Sequence, residues 1–141
     1  MSAYSIHIFT PLDTHEALAL WRATPGIGIS DADEPDRIAA YLERNSGLSF
    51  VARVDGRLAG AVLCGSDGRR GYLHHLAVAP EFRHMGIGTV LSERCLAGLH
   101  ALGITKCHLF VIAGNADGRA FWEKIGWRLR TDLVILSKDI R

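Results

Sequence analysis

Apolar and polar residues alternate along the chain with two different periods, and these periods predict an ordered set of strands and helices. Alternation at every second residue predicts strands, whereas the four-residue steps from Ile87 through Leu91 and Cys95 predict one buried helix face. The predicted strands cover residues 5–9, 48–54, 58–64, 71–78, 106–112, 127–130 and 133–136, and the predicted helices cover 13–24, 33–44, 86–102 and 116–125. The order β-α-α-β-β-β-α-β-α-β-β predicts an α+β fold of three α/β/α layers, with a mixed, mostly antiparallel central sheet flanked by helices.

Turn and cap residues mark the boundaries of these elements. Asp13 and Glu16 have the spacing of a capping box at the start of the first helix. Two Asp-Gly pairs, at 55–56 and 67–68, predict tight turns within a three-stranded meander. Because no repeat, linker or low-complexity segment interrupts the pattern, we expect residues 1–141 to form a single domain.

The composition disfavours several classes of function. A net charge of +1 with dispersed basic residues gives no indication of nucleic-acid binding. No apolar run approaches the roughly 18 residues of a membrane span, and the first residues lack the features of a signal peptide. Cys64, Cys95 and Cys107 lie in apolar contexts, which indicates buried thiols rather than disulfides, and no Cys/His spacing matches a metal site. We therefore expect a cytoplasmic protein without a metal.

A loop containing two glycines joins an apolar strand to the longest helix. It has the sequence R-x-x-G-x-G from Arg83 to Gly88. The first N–H groups of a helix have no partner within the helix, and glycine lets an anion approach the backbone. The spacing differs from that of the common mononucleotide and dinucleotide phosphate loops. The loop predicts a site for a phosphorylated cofactor, with a simple tight turn as the alternative interpretation.

Two blocks of the sequence, residues 76–88 and the segment from Asn115 to Trp127, resemble the GNAT family of N-acetyltransferases. Residues 76–88 are similar to the acetyl-CoA signature of that family. Asn115 and the run F-W-E-K-I-G-W over residues 121–127 are similar to its later Asn and Y-E-K-x-G-F pattern. The resemblance covers residues 48–139, and the two blocks have the expected order and separation. It implies a GNAT-like fold and the transfer of an acetyl group from acetyl-CoA to an amine.

The resemblance also implies which residues bind the cofactor. The diphosphate would lie on backbone N–H groups between Met85 and Thr89, and the pantetheine arm would run along the strand at Leu76 and Val78. The N–H group of Leu76 would also stabilise negative charge on the thioester oxygen. The full set is Leu76, Ala77, Val78, Arg83, His84, Met85, Gly86, Ile87, Gly88, Thr89, Asn115, Arg119 and Trp122.

The attacking amine must lose a proton, and the resemblance places the candidate bases on the strand before the loop. An amine with a pKa near 10.4 is neutral in about 1 part in 2,500 at pH 7, a cost of roughly 4.6 kcal/mol. Strand alternation places Tyr72, His74 and Leu76 on one face, and His75 is then expected on the opposite face. His74 is the first candidate base, ahead of His75 and Tyr72, because imidazole titrates near neutral pH. Local hydrogen bonding by both histidines is the alternative.

One position departs from the family pattern. Trp122 occupies the place of the tyrosine that commonly protonates the leaving thiolate, and an indole N–H cannot act as an acid. Tyr72, a water molecule or solvent would then supply this proton. No cysteine has a convincing histidine partner, so we expect direct attack in a ternary complex rather than an acetyl-enzyme. A non-catalytic acyl-CoA-binding or regulatory module is the alternative that Trp122 leaves open.

The acceptor site is expected beside the loop that follows the first helix. Trp21, Arg22 and Ile27 would form one wall, and Trp127 would contribute to the other. The expected acceptor is the amine of a small molecule or a peptide, with a protein lysine or N-terminus as the alternative. Homodimers are frequent in the family, although no exposed apolar stripe in the sequence requires one.

Overall fold

The computed structural model describes residues 3–140, which form a five-stranded sheet with helices on both faces. The predicted α+β class is confirmed. The elements are β1 (Ser5–Ile8), α1 (Thr14–Arg22), α2 (Pro35–Arg44), β2 (Phe50–Val54), β3 (Arg57–Ser66), β4 (Gly71–Val78), α3 (Ile87–Ala101), β5 (Cys107–Leu109) and α4 (Ala116–Lys124). No helix in this part of the chain combines the length and the apolarity that crossing a membrane requires.

The strands follow one another across the sheet in chain order. β1 to β4 are joined as antiparallel neighbours, and β5 is parallel to β4. A parallel neighbour requires a crossover connection, and α3 provides it. β5 pairs only with the start of β4, from Gly71 to Leu73, so the rest of β4 has an open edge. The residues of the candidate site lie along this open edge of β4.

Two apolar clusters fill the space between the sheet and its helices. One lies under α1 and α2 and includes the fully buried Trp21 and Ile38. The other lies under α3, whose predicted buried face is confirmed by Ile87, Leu91 and Leu99. Each face of β3 therefore contacts a helix layer, which explains why most of this strand is buried.

The start of α1 differs from the predicted capping box by one turn. Asp13 accepts a hydrogen bond from the N–H of Thr10 at 2.9 Å, so the box closes across the 3-10 turn Pro11–Asp13. Glu16 forms an ion pair with Arg53 of β2 at 2.9 Å, and Asp13 contacts the same guanidinium at 2.6 Å. Asp13 and Glu16, the two residues of the predicted capping box, thus attach the start of α1 to the sheet through Arg53.

The two strands predicted at the C-terminus are not formed. Residues 127–130 and 133–136 have no strand partner in the described structure, and residues 131–140 are exposed. The local sequence favours extended backbone, but a strand also requires a neighbour that accepts and donates its hydrogen bonds. The prediction of these two strands is wrong for this single copy of the chain.

Candidate active site

Strand β4 contains a β-bulge next to the point where β5 diverges from it. The register runs to the pair Leu63↔His74 and resumes at Ala61↔Ala77, so two residues of β4 lie opposite one residue of β3. His75 lies within the bulge and has a φ of 58°, in the left-handed region that side chains other than glycine rarely adopt. The bulge therefore interrupts side-chain alternation in the middle of the strand.

The interruption places His74 and His75 on the same face, and the prediction of opposite faces is wrong. The His74 ring lies 6.2 Å from that of Tyr41, and the His75 ring lies 5.1 Å from that of Trp21. Both contacts are with residues of α1 and α2. Leu76, expected on the same face as His74, instead packs against the cluster under α3. A two-residue period cannot reveal the extra residue that causes this change.

The backbone of β4 beyond the bulge presents polar groups to the open edge. The N–H of Ala79 donates to the carbonyl of Ala59 on β3 at 2.8 Å. By strand alternation, the backbone groups of Leu76 and Val78 point the other way, toward the gap between β4 and β5. The carbonyl of Val78 accepts a hydrogen bond from Arg83 Nε at 3.0 Å, as this direction requires. The N–H of Leu76 therefore faces the cleft.

The start of α3 provides backbone N–H groups that have no acceptor within the helix. The first helical bond runs from the N–H of Val90 to the carbonyl of Gly86 at 3.1 Å, which leaves Ile87, Gly88 and Thr89 without intrahelical partners. Gly86 precedes the helix with a φ of 82°. Partial positive charge at this helix end and the N–H groups that lack intrahelical partners suit a diphosphate.

The two glycines of the loop meet different spatial requirements. A Cβ atom at Gly88 would lie 3.2 Å from Cζ of Phe121, because α4 passes close to the start of α3. A Cβ atom at Gly86 would meet no atom within 4 Å, so the requirement there is the positive φ and the open surface. These features fit the diphosphate of a nucleotide cofactor. A simple tight turn would not require the open surface at Gly86.

His75 is held by a buried carboxylate. Its Nε2 lies 2.9 Å from Oδ1 of Asp33, and Asp33 is 7% exposed. Oδ2 of the same carboxylate accepts a hydrogen bond from the N–H of Ser30 at 3.0 Å. Asp33 thus connects the bulge of β4 to the end of the loop between α1 and α2.

His74 has different surroundings. Burial lowers the pKa of its imidazole below the usual 6.5, and the nearby His75 lowers it further, while Asp33 acts weakly in the opposite direction. Aromatic rings surround it, with Phe110 at 6.4 Å between ring centroids. No group among residues 3–140 forms a hydrogen bond with this ring. His74 is therefore neutral near pH 7 and retains a nitrogen that can accept a proton.

A cavity of about 310 Å³ lies against α2. Its lining includes Arg37, Arg44, Tyr41, whose ring contacts that of His74, and Leu63, which pairs with His74 in the sheet. The lining includes neither His74 nor His75.

Comparison with known proteins decides the family. The model of the acetyltransferase (GNAT) family matches residues 14–127. The chain belongs to this family. Acetyltransferase SG1711 of Sodalis glossinidius is 30% identical over 96% of this chain and 94% of its own length. Acetyltransferase ECA0875 of Pectobacterium atrosepticum is 33% identical over the same shares.

Solved acetyltransferases have the same fold as this GNAT protein. The PaiA N-acetyltransferase from Thermoplasma acidophilum, solved with coenzyme A, superposes with a TM-score of 0.80 at 20% identity over 91% of each chain. The aminoglycoside 6'-N-acetyltransferase AAC(6')-Ig from Acinetobacter haemolyticus gives 0.78 at 18% identity over 97% of this chain and 99% of its own. As a member of the family, the present protein is an acetyltransferase with acetyl-CoA as its cofactor.

The structure distributes the other predicted cofactor residues of this acetyltransferase around the start of α4. Asn115 caps α4, with Oδ1 accepting from the N–H of Gly118 at 3.0 Å. Trp122 packs edge-on against Phe121 and is part of the apolar cluster under α3. Arg119 is exposed and pairs with Glu123 on the same helix at 3.3 Å. Asn115 and Trp122 therefore have structural roles that do not depend on a cofactor.

The predicted acceptor residues separate into different environments. Trp21 is 0% exposed, so in this arrangement it supports His75 and the core and does not line a cleft. Arg22 is exposed at the end of α1, and Ile27 is half-buried against the cluster under α1 and α2. Trp127 packs against Trp122, with ring centroids 5.1 Å apart, on the other side of the molecule's sheet.

The three cysteines of the acetyltransferase are buried or half-buried. Cys64 and Cys95 are fully buried, and the contact with Cys64 and burial both raise the pKa of the Cys95 thiol. Burial raises the pKa of Cys107 to about 12. Because the thiolate is the nucleophilic form, the raised pKa values make Cys95 and Cys107 poor nucleophiles near neutral pH.

Sequence reasoning missed Asp33 and Tyr41, which contact the two histidines. Asp33 appears in the sequence as an ordinary residue near the start of a helix, and its contact with His75 spans 42 positions. Tyr41 occupies the apolar face of α2, where a core role is the simplest interpretation. No local pattern indicates either contact, since each depends on how α2 packs on the bulged strand.

Proposed function

We propose that this acetyltransferase transfers the acetyl group to a primary amine of a small molecule or a peptide by direct attack in a ternary complex, with His74 as the general base. The observation that carries the proposal is a neutral imidazole at the cleft where the backbone of β4 is open. The raised thiol pKa values support direct attack over a cysteine relay.

The cofactor would be held by two sets of backbone groups. Residues Ile87, Gly88 and Thr89 would bind the diphosphate through N–H groups, and the open edge of β4 would pair with the amides of pantetheine. When bound, acetyl-CoA supplies the acetyl group as a thioester that an amine can attack. The N–H of Leu76, which faces the same gap, would donate a hydrogen bond to the acetyl oxygen as it gains charge.

His74 would remove the proton that keeps the acceptor amine unreactive. For an amine with an ordinary pKa, forming the neutral species at pH 7 costs roughly 4.6 kcal/mol, and a general base provides an acceptor for the proton. His74 lies on the side of β4 that faces α2, with its ring 6.2 Å from that of Tyr41. The acceptor amine would therefore reach His74 from the side of the sheet on which α2 lies. Tyr72, on the same side of β4, is the candidate side chain to donate a proton to the leaving thiolate, with a water molecule or solvent as the alternatives.

The pH dependence of turnover tests the role of His74. We expect the wild type to lose activity only below the lowered pKa of His74, because protonation then occupies the nitrogen that must accept a proton. His74→Gln should lower kcat by about 10²–10⁴-fold and remove this acidic limb, while the KM for acetyl-CoA stays within about twofold. Thiol release with a panel of amines, followed from pH 5 to 9, measures both effects.

Two matched variants complete the experiment. His15→Gln changes an exposed histidine of α1 and should leave kcat and the pH profile unchanged. His75→Gln should lower kcat less than His74→Gln and preserve the acidic limb. A full pH profile in His74→Gln, or loss of the limb only in His75→Gln, would assign the base to another group.

A further inference from the structure

The bulge of β4 reverses the direction of the backbone groups along this strand. Before the bulge, the N–H of Gly71 donates to the carbonyl of Lys106 at 3.0 Å, on the side of β5. After the bulge, the N–H of Ala79 donates to the carbonyl of Ala59 at 2.8 Å, on the side of β3. In a regular strand, two residues separated by an even number of positions direct their N–H groups to the same edge. The extra residue of the bulge therefore turns the N–H of Leu76 toward the gap between β4 and β5.

The same bulge decides on which side of the sheet the ring of His74 lies. His74 and Leu76 would share one face in a regular strand. In the structure, the ring of His74 contacts Tyr41 of α2, whereas Leu76 packs against the cluster under α3. A regular strand could present the His74 ring to α2 or the N–H of Leu76 to the gap, but not both. The proposed base and the proposed donor to the acetyl oxygen thus both depend on the bulge.

The bulge requires a backbone conformation at His75 that a histidine rarely adopts. Its φ of 58° lies in the left-handed region, and such a conformation persists only where the surrounding structure enforces it. The His75 ring packs on the fully buried Trp21, with ring centroids 5.1 Å apart. Its Nε2 also lies 2.9 Å from Oδ1 of Asp33. Because a hydrogen bond is directional whereas ring packing is not, the contact with Asp33 fixes the orientation of the ring.

Asp33 is itself held in place by a local turn. Its Oδ2 accepts a hydrogen bond from the N–H of Ser30, and its own N–H donates to the carbonyl of Ser30, both at 3.0 Å. The hydroxyl of Ser30 accepts from the N–H of Ala32 at 3.2 Å and completes the turn. Asp33 is buried, so water screens its contact with His75 less than it would screen a surface pair. The turn therefore presents Oδ1 to the bulge in a fixed position.

We propose that Asp33 is a positioning residue of this acetyltransferase. By holding His75, it maintains the bulge that presents both the ring of His74 and the N–H of Leu76 to the reacting groups. This inference rests on the proposed function, which assigns those two groups to catalysis. Asp33 lies apart from the start of α3, where the diphosphate would bind, so its loss should act on kcat more than on cofactor binding.

Substitutions in the turn test the proposal in the thiol-release assay. Asp33→Ala should lower kcat by about 10–100-fold, because catalytic groups lose much of their effect when misplaced, while the KM for acetyl-CoA stays within about fivefold. Asp33→Asn keeps the size of the side chain and one acceptor oxygen, so it should lower kcat less. Ser30→Ala is the matched control, since it removes the bond to Ala32 and leaves the contact with His75; kcat should stay within about twofold. Circular dichroism of each variant establishes that the fold persists.

A glycine at position 75 separates the effect of Asp33 on the bulge from any other effect of this residue. Glycine adopts a positive φ without strain, so His75→Gly should retain more of the wild-type kcat than His75→Ala. The His75→Gly variant has no ring for Asp33 to hold. Adding Asp33→Ala to it should therefore lower kcat by less than about twofold.

A crystal structure of the Asp33→Ala variant provides a readout that does not depend on activity. We expect a negative φ at residue 75 and a regular register between β3 and β4. An unchanged bulge, or an equal loss of kcat from Asp33→Ala in both backgrounds, would overturn this inference alone and leave the role of His74 to its own pH profile. Loss of the bulge with an unchanged kcat would overturn this inference and also the assignment of His74 and Leu76 to catalysis.

Discussion

A substitution at Gly86 distinguishes the cost of backbone strain to stability from the loss of cofactor binding. Its φ is 82°, and a Cβ atom placed on it would meet no atom within 4 Å. Gly86→Ala therefore adds no clash, and its cost to stability is the left-handed backbone, about 1–2 kcal/mol. For a chain of this size that corresponds to a fall in Tm of roughly 2–8 °C. The new methyl group would lie on the surface that we assign to the diphosphate.

Gly103 provides the matched control at the other end of α3. It also has a φ of 82° and open space around its Cβ position, so Gly103→Ala should lower the Tm by a similar amount. We expect isothermal titration to show CoA affinity at least tenfold weaker in Gly86→Ala, about 1.4 kcal/mol, and unchanged in Gly103→Ala. Equal affinity in the two variants would refute the assignment of the diphosphate to this loop.

Three further substitutions test separate parts of the structure. Cys107→Ser should keep kcat within about twofold in the thiol-release assay, because a thiol with a pKa of about 12 carries no acetyl group; a loss above tenfold would indicate an acetyl-enzyme. Asn115→Ala should cost about 1 kcal/mol in chemical unfolding by removing the cap of α4, and an unchanged stability would contradict that role. Leu91→Ala should cost about 2–5 kcal/mol because the side chain is fully buried under α3, and a cost as small as that of the exposed Leu12→Ala would contradict this packing.

The order of the first nine elements could be predicted because each has a strong local signal. The Asp-Gly turns at 55–56 and 67–68 separate the strands of the meander, and Gly86, predicted as the first residue of the long helix, directly precedes it. The strand predicted over residues 71–78 has the bounds Gly71–Val78 in the structure. These signals act over a few residues, so they can be read without knowledge of the tertiary fold.

The bulge in β4 shows where local patterns fail. Nothing in the residues around His75 signals a φ of 58°, which is held by contacts with Asp33 and Trp21 on other elements. Backbone strain of this kind costs on the order of 1–3 kcal/mol and persists only when the surroundings enforce it. Sequence analysis therefore selected the two histidines but assigned them to opposite faces.

The prediction of the two C-terminal strands is wrong for a different reason. Residues 133–136 have strong strand propensity, yet propensity describes how a side chain fits a sheet that already exists. In the structure of one copy, no neighbouring strand is available to them. The composition of the segment is that of a strand, but the prediction is wrong because no strand among residues 3–140 is placed to pair with it.

We propose that backbone N–H groups at the start of α3 hold the diphosphate of coenzyme A. A crystal structure of the protein with coenzyme A measures this directly. We expect diphosphate oxygens within about 2.7–3.2 Å of the backbone nitrogens of Ile87, Gly88 or Thr89. A diphosphate bound elsewhere, with these N–H groups facing only solvent, would contradict it.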